Sequence, residues 1–280
     1  MGSKHLSRAQ IDTLCQTLKA LDPGVQGGFV SAHMIRPEPD TTTPPSVAPH
    51  SVAPHPATSL TITSPDGLAL TPGLHEITAA GYLDQPAALA FQAGLMGQCL
   101  PPRRPLLWVR PRPGPHQDFG RPAPSALRHW NLDPSRILLV ETDTPEHALW
   151  AMEDGLRQGA WVMGEVRNHR SYDLTASKRL HRLAQARTSL VLIHRPARLE
   201  GLSVALSRRR IAARPSRPTP WQGANGLFGL GAPRFHVHLE RARGAPPQEQ
   251  EYEWKHAAFH VVEPAPVADR PAQLPLVRSA

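Results

Sequence analysis

Residues 73–91 read GLHEITAAGYLDQPAALAF, a short apolar run, a turn and the start of a helix. A parallel nucleotide-binding sheet places its phosphate loop at such a junction, where the amides of the turn and the helix N-terminus point at an anion. The chemistry asks for more than the junction. A glycine-rich turn must wrap the phosphates, a lysine must reach their outer oxygens, and a Ser or Thr hydroxyl must hold magnesium. The turn here offers Ala79, Gly81, Asp84, Gln85 and Pro86, with no lysine, serine or threonine among residues 79–86. Asp84 repels an anion and Pro86 has no N–H to donate. We therefore expect a degenerate phosphate loop, no catalytic residues, no cofactor and no enzyme activity.

Other residue sets could carry chemistry. Two arginine-rich stretches follow apolar runs: EVRNHRSYD contains Arg167, His169 and Arg170, and HRPARLEGLSVALSRRR contains Arg195, Arg198, Arg208, Arg209 and Arg210. Arginines on loops suit phosphate contacts that release counterions without reading sequence. Lys and Arg total 31 against 23 acids, a formal charge of +8, so an anionic partner is expected and nucleic acid comes first. His236 and His238 share one face of an alternating run, and His256 and His260 are expected to share a face of the next. With no Cys or carboxylate at ligand spacing beside them, they read as a polar strand face and not as a metal site.

The elements that must position these groups follow from periodicity. Apolar runs at 73–78, 105–110, 136–142, 160–166 and 189–194 alternate with helical patterns at 86–100, 125–132, 145–159 and 173–187. This alternation predicts an α/β fold, a mostly parallel sheet with helices on both faces. Beyond Arg208 the runs RRRIAARP, PRFHVHLERAR and EYEWKHAAFHVV alternate like antiparallel strands that extend the sheet. Residues 7–21 predict an amphipathic helix with Ile11, Leu14 and Leu18 on its stripe, carried on a proline-rich tether that includes the repeat SVAPH-SVAPH. The boundaries expected are 1–30 for the helix, 31–58 for the linker, 59–262 for the core and 263–280 for a disordered tail. Cys15 and Cys99 lack metal-ligand or disulfide-framework spacing, which implies a reducing cytoplasm, and no run of roughly 18 apolar residues predicts a membrane span.

The strand, loop and helix of HEIT-AAGYLDQPAALAF resemble those of RecA, aligned without a gap. In that register the RecA lysine falls on Gln85 and its magnesium-binding hydroxyl on Pro86. The strand that carries the catalytic glutamate in RecA reads PLLWVRPRPG here, with Arg and Pro in place of a carboxylate, and the strand that holds magnesium in RecA reads AWVMGEV, which the resemblance leaves with Glu165 as its candidate acid. The two arginine-rich stretches match the RecA loops that face DNA. Over about residues 70–262 the chain is more similar still to the ImuA family, on GLHEIT, HALWAMEDGLRQGA, DLTASKRLHRLA, RRRIAARPS and GAPRFHVHLERARG in order. That resemblance implies a RecA-like core serving error-prone translesion synthesis alongside ImuB and a C-family error-prone polymerase subunit, with the RecA filament and DNA as further partners. The core is also similar to that of the division inhibitor SulA, so the alternatives are inhibition of division and a residual ATPase switch. QLPLV, with Gln273, Leu274 and Leu276, resembles the short peptide by which bacterial proteins bind the sliding clamp. A helix on a tether resembles the RecA arrangement that docks on a neighbour.

Overall fold

A computed structural model of the chain describes residues 30–33, 68, 70–112, 119–166, 172–196, 201–220 and 228–263. The expected N-terminal helix, most of the tether and the tail lie outside the described residues, and with them Ile11, Leu14, Leu18, Gln273, Leu274 and Leu276.

The five apolar runs all form strands: β2 (Gly73–Ala79), β3 (Leu106–Pro111), β4 (Ile137–Thr142), β5 (Trp161–Glu165) and β6 (Leu190–Arg195). Helices α1 (Gln85–Cys99), α2 (Pro124–His129), α3 (Pro145–Arg157) and α4 (Leu174–Ala186) alternate with them. Local chemistry sets the helix starts. The Thr144 hydroxyl accepts from the His147 N–H at 3.2 Å, and the Asp173 carboxylate accepts from the Ala176 N–H at 2.8 Å.

Beyond α4 come β7 (Ser207–Arg214), the short β8 (Thr219–Pro220) and β9 (Phe228–Gly229), then β10 (Arg234–Ala242), β11 (Gln248–Lys255) and β12 (Ala258–Val261). One further strand, β1 (Val30–His33), crosses the boundary expected between helix and linker. Its four residues, VSAH, are too short a run to mark a strand by themselves, and they pair in parallel with β4.

The main sheet runs β1-β4-β3-β5-β6-β2-β7-β10-β11-β12. Every neighbouring pair from β1 to β7 is parallel, and the three pairs from β7 to β12 are antiparallel. The central strands bury both faces, which is why their sequences are nearly continuous in apolar residues. On one face Ile77, Trp108, Leu139, Met163 and Leu192 pack with Phe91, Leu95 and Met96 of α1. On the other, Leu74, Val109, Val140, Val162 and Val191 pack with α3 and α4 through Met152, Leu156 and Leu180.

β7 and β10 alternate buried and partly exposed residues, because only the α1 side is covered. The run 251–262, expected to carry His256 and His260 on one strand face, divides at a two-residue turn. His256 and Ala257 have φ of 49° and 58°, so His256 sits in the turn and His260 on β12. Gly97 on α1 is required by close approach, since a Cβ there would lie 1.9 Å from the Trp130 carbonyl oxygen.

Candidate functional site at the carboxyl edge

Open α/β sheets bind ligands beyond the carboxyl ends of their parallel strands. At that edge β2 passes into the turn singled out above. The Ala80 N–H donates to the Ile211 carbonyl at 2.8 Å, Gly81 is extended, and a single 3-10 turn over Tyr82–Asp84 leads into α1. Gln85 and Pro86 are therefore the first two residues of the helix. The Asp84 carboxylate accepts from the Ala213 N–H at 2.8 Å and is thereby fixed at the helix start, where a phosphate would sit. Gln85 Oε1 lies 3.4 Å from His194 Nε2. Burial depresses the His194 pKa to about 4, so this histidine is neutral near pH 7 and brings no charge to the turn. Tyr82 and Leu83 point outward, and the Tyr82 ring meets that of Phe119 at 5.3 Å.

Beside the turn, the ends of β3, β4 and β5 carry paired charges. Arg110 Nε lies 3.4 Å from Glu165 Oε1, which also accepts from the Trp108 indole N–H at 3.1 Å. Arg121 forks onto Glu141 with two bonds of 2.6 Å, and Arg112 meets Asp143 at 3.1 Å. Glu141 and Arg110 are in register on neighbouring strands, as are Glu165 and His194. A cleft of about 240 Å³ opens among Arg112, Thr142, Asp143, Thr144 and Glu165. Glu165 is thus at the edge, as the sequence suggested, but its neighbour is an arginine.

The second arginine-rich stretch corrects an expectation. Arg195 ends β6, and Arg208, Arg209 and Arg210 lie on β7, so none of the four is on a loop. Arg195, 2% exposed, donates to Glu76 at 2.6 Å, and Arg208 donates to the same carboxylate at 2.8 Å. The Tyr172 hydroxyl donates to Glu76 at 2.8 Å, and the Arg195 guanidinium stacks 5.9 Å from the Tyr172 ring centre. Burial pushes the Glu76 pKa up, but Arg195, the Ser203 hydroxyl and Arg208 outweigh it and hold the carboxyl below its ordinary value. Arg209 is buried on the opposite face, bonded to the Ser207 hydroxyl at 2.5 Å, and burial lowers its pKa to about 10. Arg210 pairs with Glu240.

The physical reason is sheet continuation. β7 adds directly to β2, so its arginines become strand residues and need partners. Arg167, His169, Arg170 and Arg198 lie outside the described residues.

Sequence reasoning missed Glu76, Glu141, Arg110 and Arg121 as a set. One signal was available: a carboxylate inside HEIT, in a strand apolar on both faces, has to be paired. Among the described residues no group of three or more His, Cys, Asp or Glu is arranged to hold a metal, and no helix is long and apolar enough to cross a membrane. His236 instead meets Glu249 at 3.3 Å across the β10–β11 pair.

No protein-family model matches the chain. It is 33% identical over 190 residues to Protein ImuA of Caulobacter vibrioides strain NA1000 / CB15N, covering 62% of this chain and 72% of that protein. Protein ImuA of C. vibrioides strain ATCC 19089 / CIP 103742 / CB 15 matches to the same extent, at 33% identity over 190 residues.

Proposed function

The chain belongs to the ImuA family, and from that premise we propose that it is a non-catalytic, RecA-like accessory of error-prone translesion synthesis, acting by binding other macromolecules. The observation that carries this reading is the state of the phosphate-loop turn. Its carboxylate, Asp84, is anchored to β7, its second helical residue is Pro86, and Gln85 bonds to a neutral histidine. A unit charge 4 Å from a second one of like sign costs on the order of 4 kcal/mol at an effective dielectric of about 20. A triphosphate brings several charges to a site with no lysine to offset them.

The strand order adds support. β2 leads into the turn beside β6, the strands that end in Glu165 and Arg110 lie next in the sheet, and antiparallel strands extend it past β7. Under the same reading the partners are ImuB and a C-family polymerase subunit, with the RecA filament, DNA and the sliding clamp as further ones. Of the arginines expected to meet phosphate, Arg195 and Arg209 are committed inside the fold, while Arg208 and Arg210 pair with Glu76 and Glu240 and remain partly exposed.

Deletion of the gene should abolish damage-induced mutagenesis without sensitising cells to undamaged growth, and the purified chain should capture ImuB. Normal induced mutagenesis in the deletion strain would sink the reading. Cell filamentation on overexpression, with mutagenesis unaffected, would favour a division inhibitor instead.

A further inference from the structure

The nucleotide and divalent cation that a RecA-like fold implies do not fit the residues at this edge, and the misfit has a positive side. The Arg110 side chain is 3% exposed, and its Nε makes no hydrogen bond although it stands 3.4 Å from Glu165 Oε1. The attraction at that atom is therefore one of charge, as between a metal ion and a carboxylate. The same oxygen, Glu165 Oε1, accepts a directional bond from the Trp108 indole N–H. On the other side of Arg110, in register, Glu141 is forked by Arg121. His194, in register beyond Glu165, is kept neutral by burial and offers no charge.

We infer that Arg110 is a resident cation: its guanidinium supplies, beside Glu165, the positive charge that a bound divalent metal would otherwise bring. The carboxyl edge thereby keeps its charge balance with neither metal nor nucleotide. This rests on the reading of the edge as a degenerate phosphoryl-transfer site and adds to it a statement about regulation. Partner binding by this chain is constitutive, not gated by a metal–nucleotide complex.

The test uses the full chain with MgCl2 or MnCl2 alone. Wild type should change its Tm by less than about 1 °C at millimolar metal, because nothing selective binds the folded state. Arg110→Glu replaces the cation by a second carboxylate on the strand next to Glu165. It should melt lower in metal-free buffer, recover by about 3 °C or more in MnCl2, and bind one Mn2+ by electron paramagnetic resonance titration. Arg110→Lys should behave as wild type. The double variant R110E/E165Q should lose the Mn2+ response.

An R110E chain indifferent to Mn2+, or one whose response survives Glu165→Gln, overturns the inference. If R110E does not fold without metal, refolding in MnCl2 reads the same question: recovery supports the inference and continued failure overturns it. MgATP turnover by wild type would sink the underlying reading. An unresponsive R110E in a chain that binds no nucleotide sinks the resident cation alone.

Discussion

Two carboxylates on neighbouring parts of one sheet have different fates. Glu76, in the middle of β2, is fully buried and collects Arg195, Arg208 and the Tyr172 hydroxyl at 2.6–2.8 Å. Glu165, at the end of β5, keeps 12% of its side chain exposed, faces a cleft and pairs with an arginine that makes no hydrogen bond through its nearest atom. The first arrangement is over-determined, as expected where a buried charge has no alternative solvation. The second is electrostatically balanced yet geometrically loose. Glu76 is therefore a structural anchor, and under the proposed function the edge around Glu165 is the place where nucleotide chemistry was given up.

The sharpest way to break this comparison is to remove the anchor. Glu76→Ala leaves Arg195 and Arg208 without the carboxylate, and we expect a loss of about 3–5 kcal/mol in urea unfolding. Because the Glu76 pKa is held below its ordinary value, its contribution is present above that value and is lost as the pH falls below it. The variant should accordingly lose less stability than wild type on acidification. A loss under 1 kcal/mol would show that solvent already reaches the cluster.

The edge has its own pH signature. His194 is depressed from 6.5 to about 4 by burial. The unfolded chain thus carries more protons than the folded one between those values, and stability falls as the pH drops from about 6.5 to about 4. The full effect is about 3 kcal/mol, and His194→Gln should flatten that part of the curve. An unchanged slope would mean that His75, depressed to about 3 by its own burial, or another group carries it.

The smallest expected effect sharpens the anchor. Tyr172→Phe removes one hydroxyl donor from Glu76 and should cost about 2 kcal/mol, with the arginine pairs intact.

Much of the fold was legible because burial on both faces leaves a plain mark: runs such as LLWV and ILLV carry no polar interruption for a solvent face, and each became a strand within one or two residues. β1 was not legible, since four residues, VSAH, are too few to mark a strand without their partner β4. The junction of strand, turn and helix at Ala79–Pro86 was also legible, since an apolar run there passes into a helical pattern, and it is where β2 leads into α1. The arginines at 195 and 208–210 could not be placed, because composition records that a stretch is basic and not whether the sheet continues through it. Glu76 sat in plain view within HEIT, but its partners are 96 to 132 positions away along the chain, beyond the reach of any local pattern.

The central claim is that the carboxyl edge has given up nucleotide chemistry. Isothermal titration of the full chain with MgATP tests it most directly, and we expect no heat of binding at micromolar protein and no release of phosphate. Micromolar affinity, lost when Gln85 or Arg110 is replaced, would contradict the account.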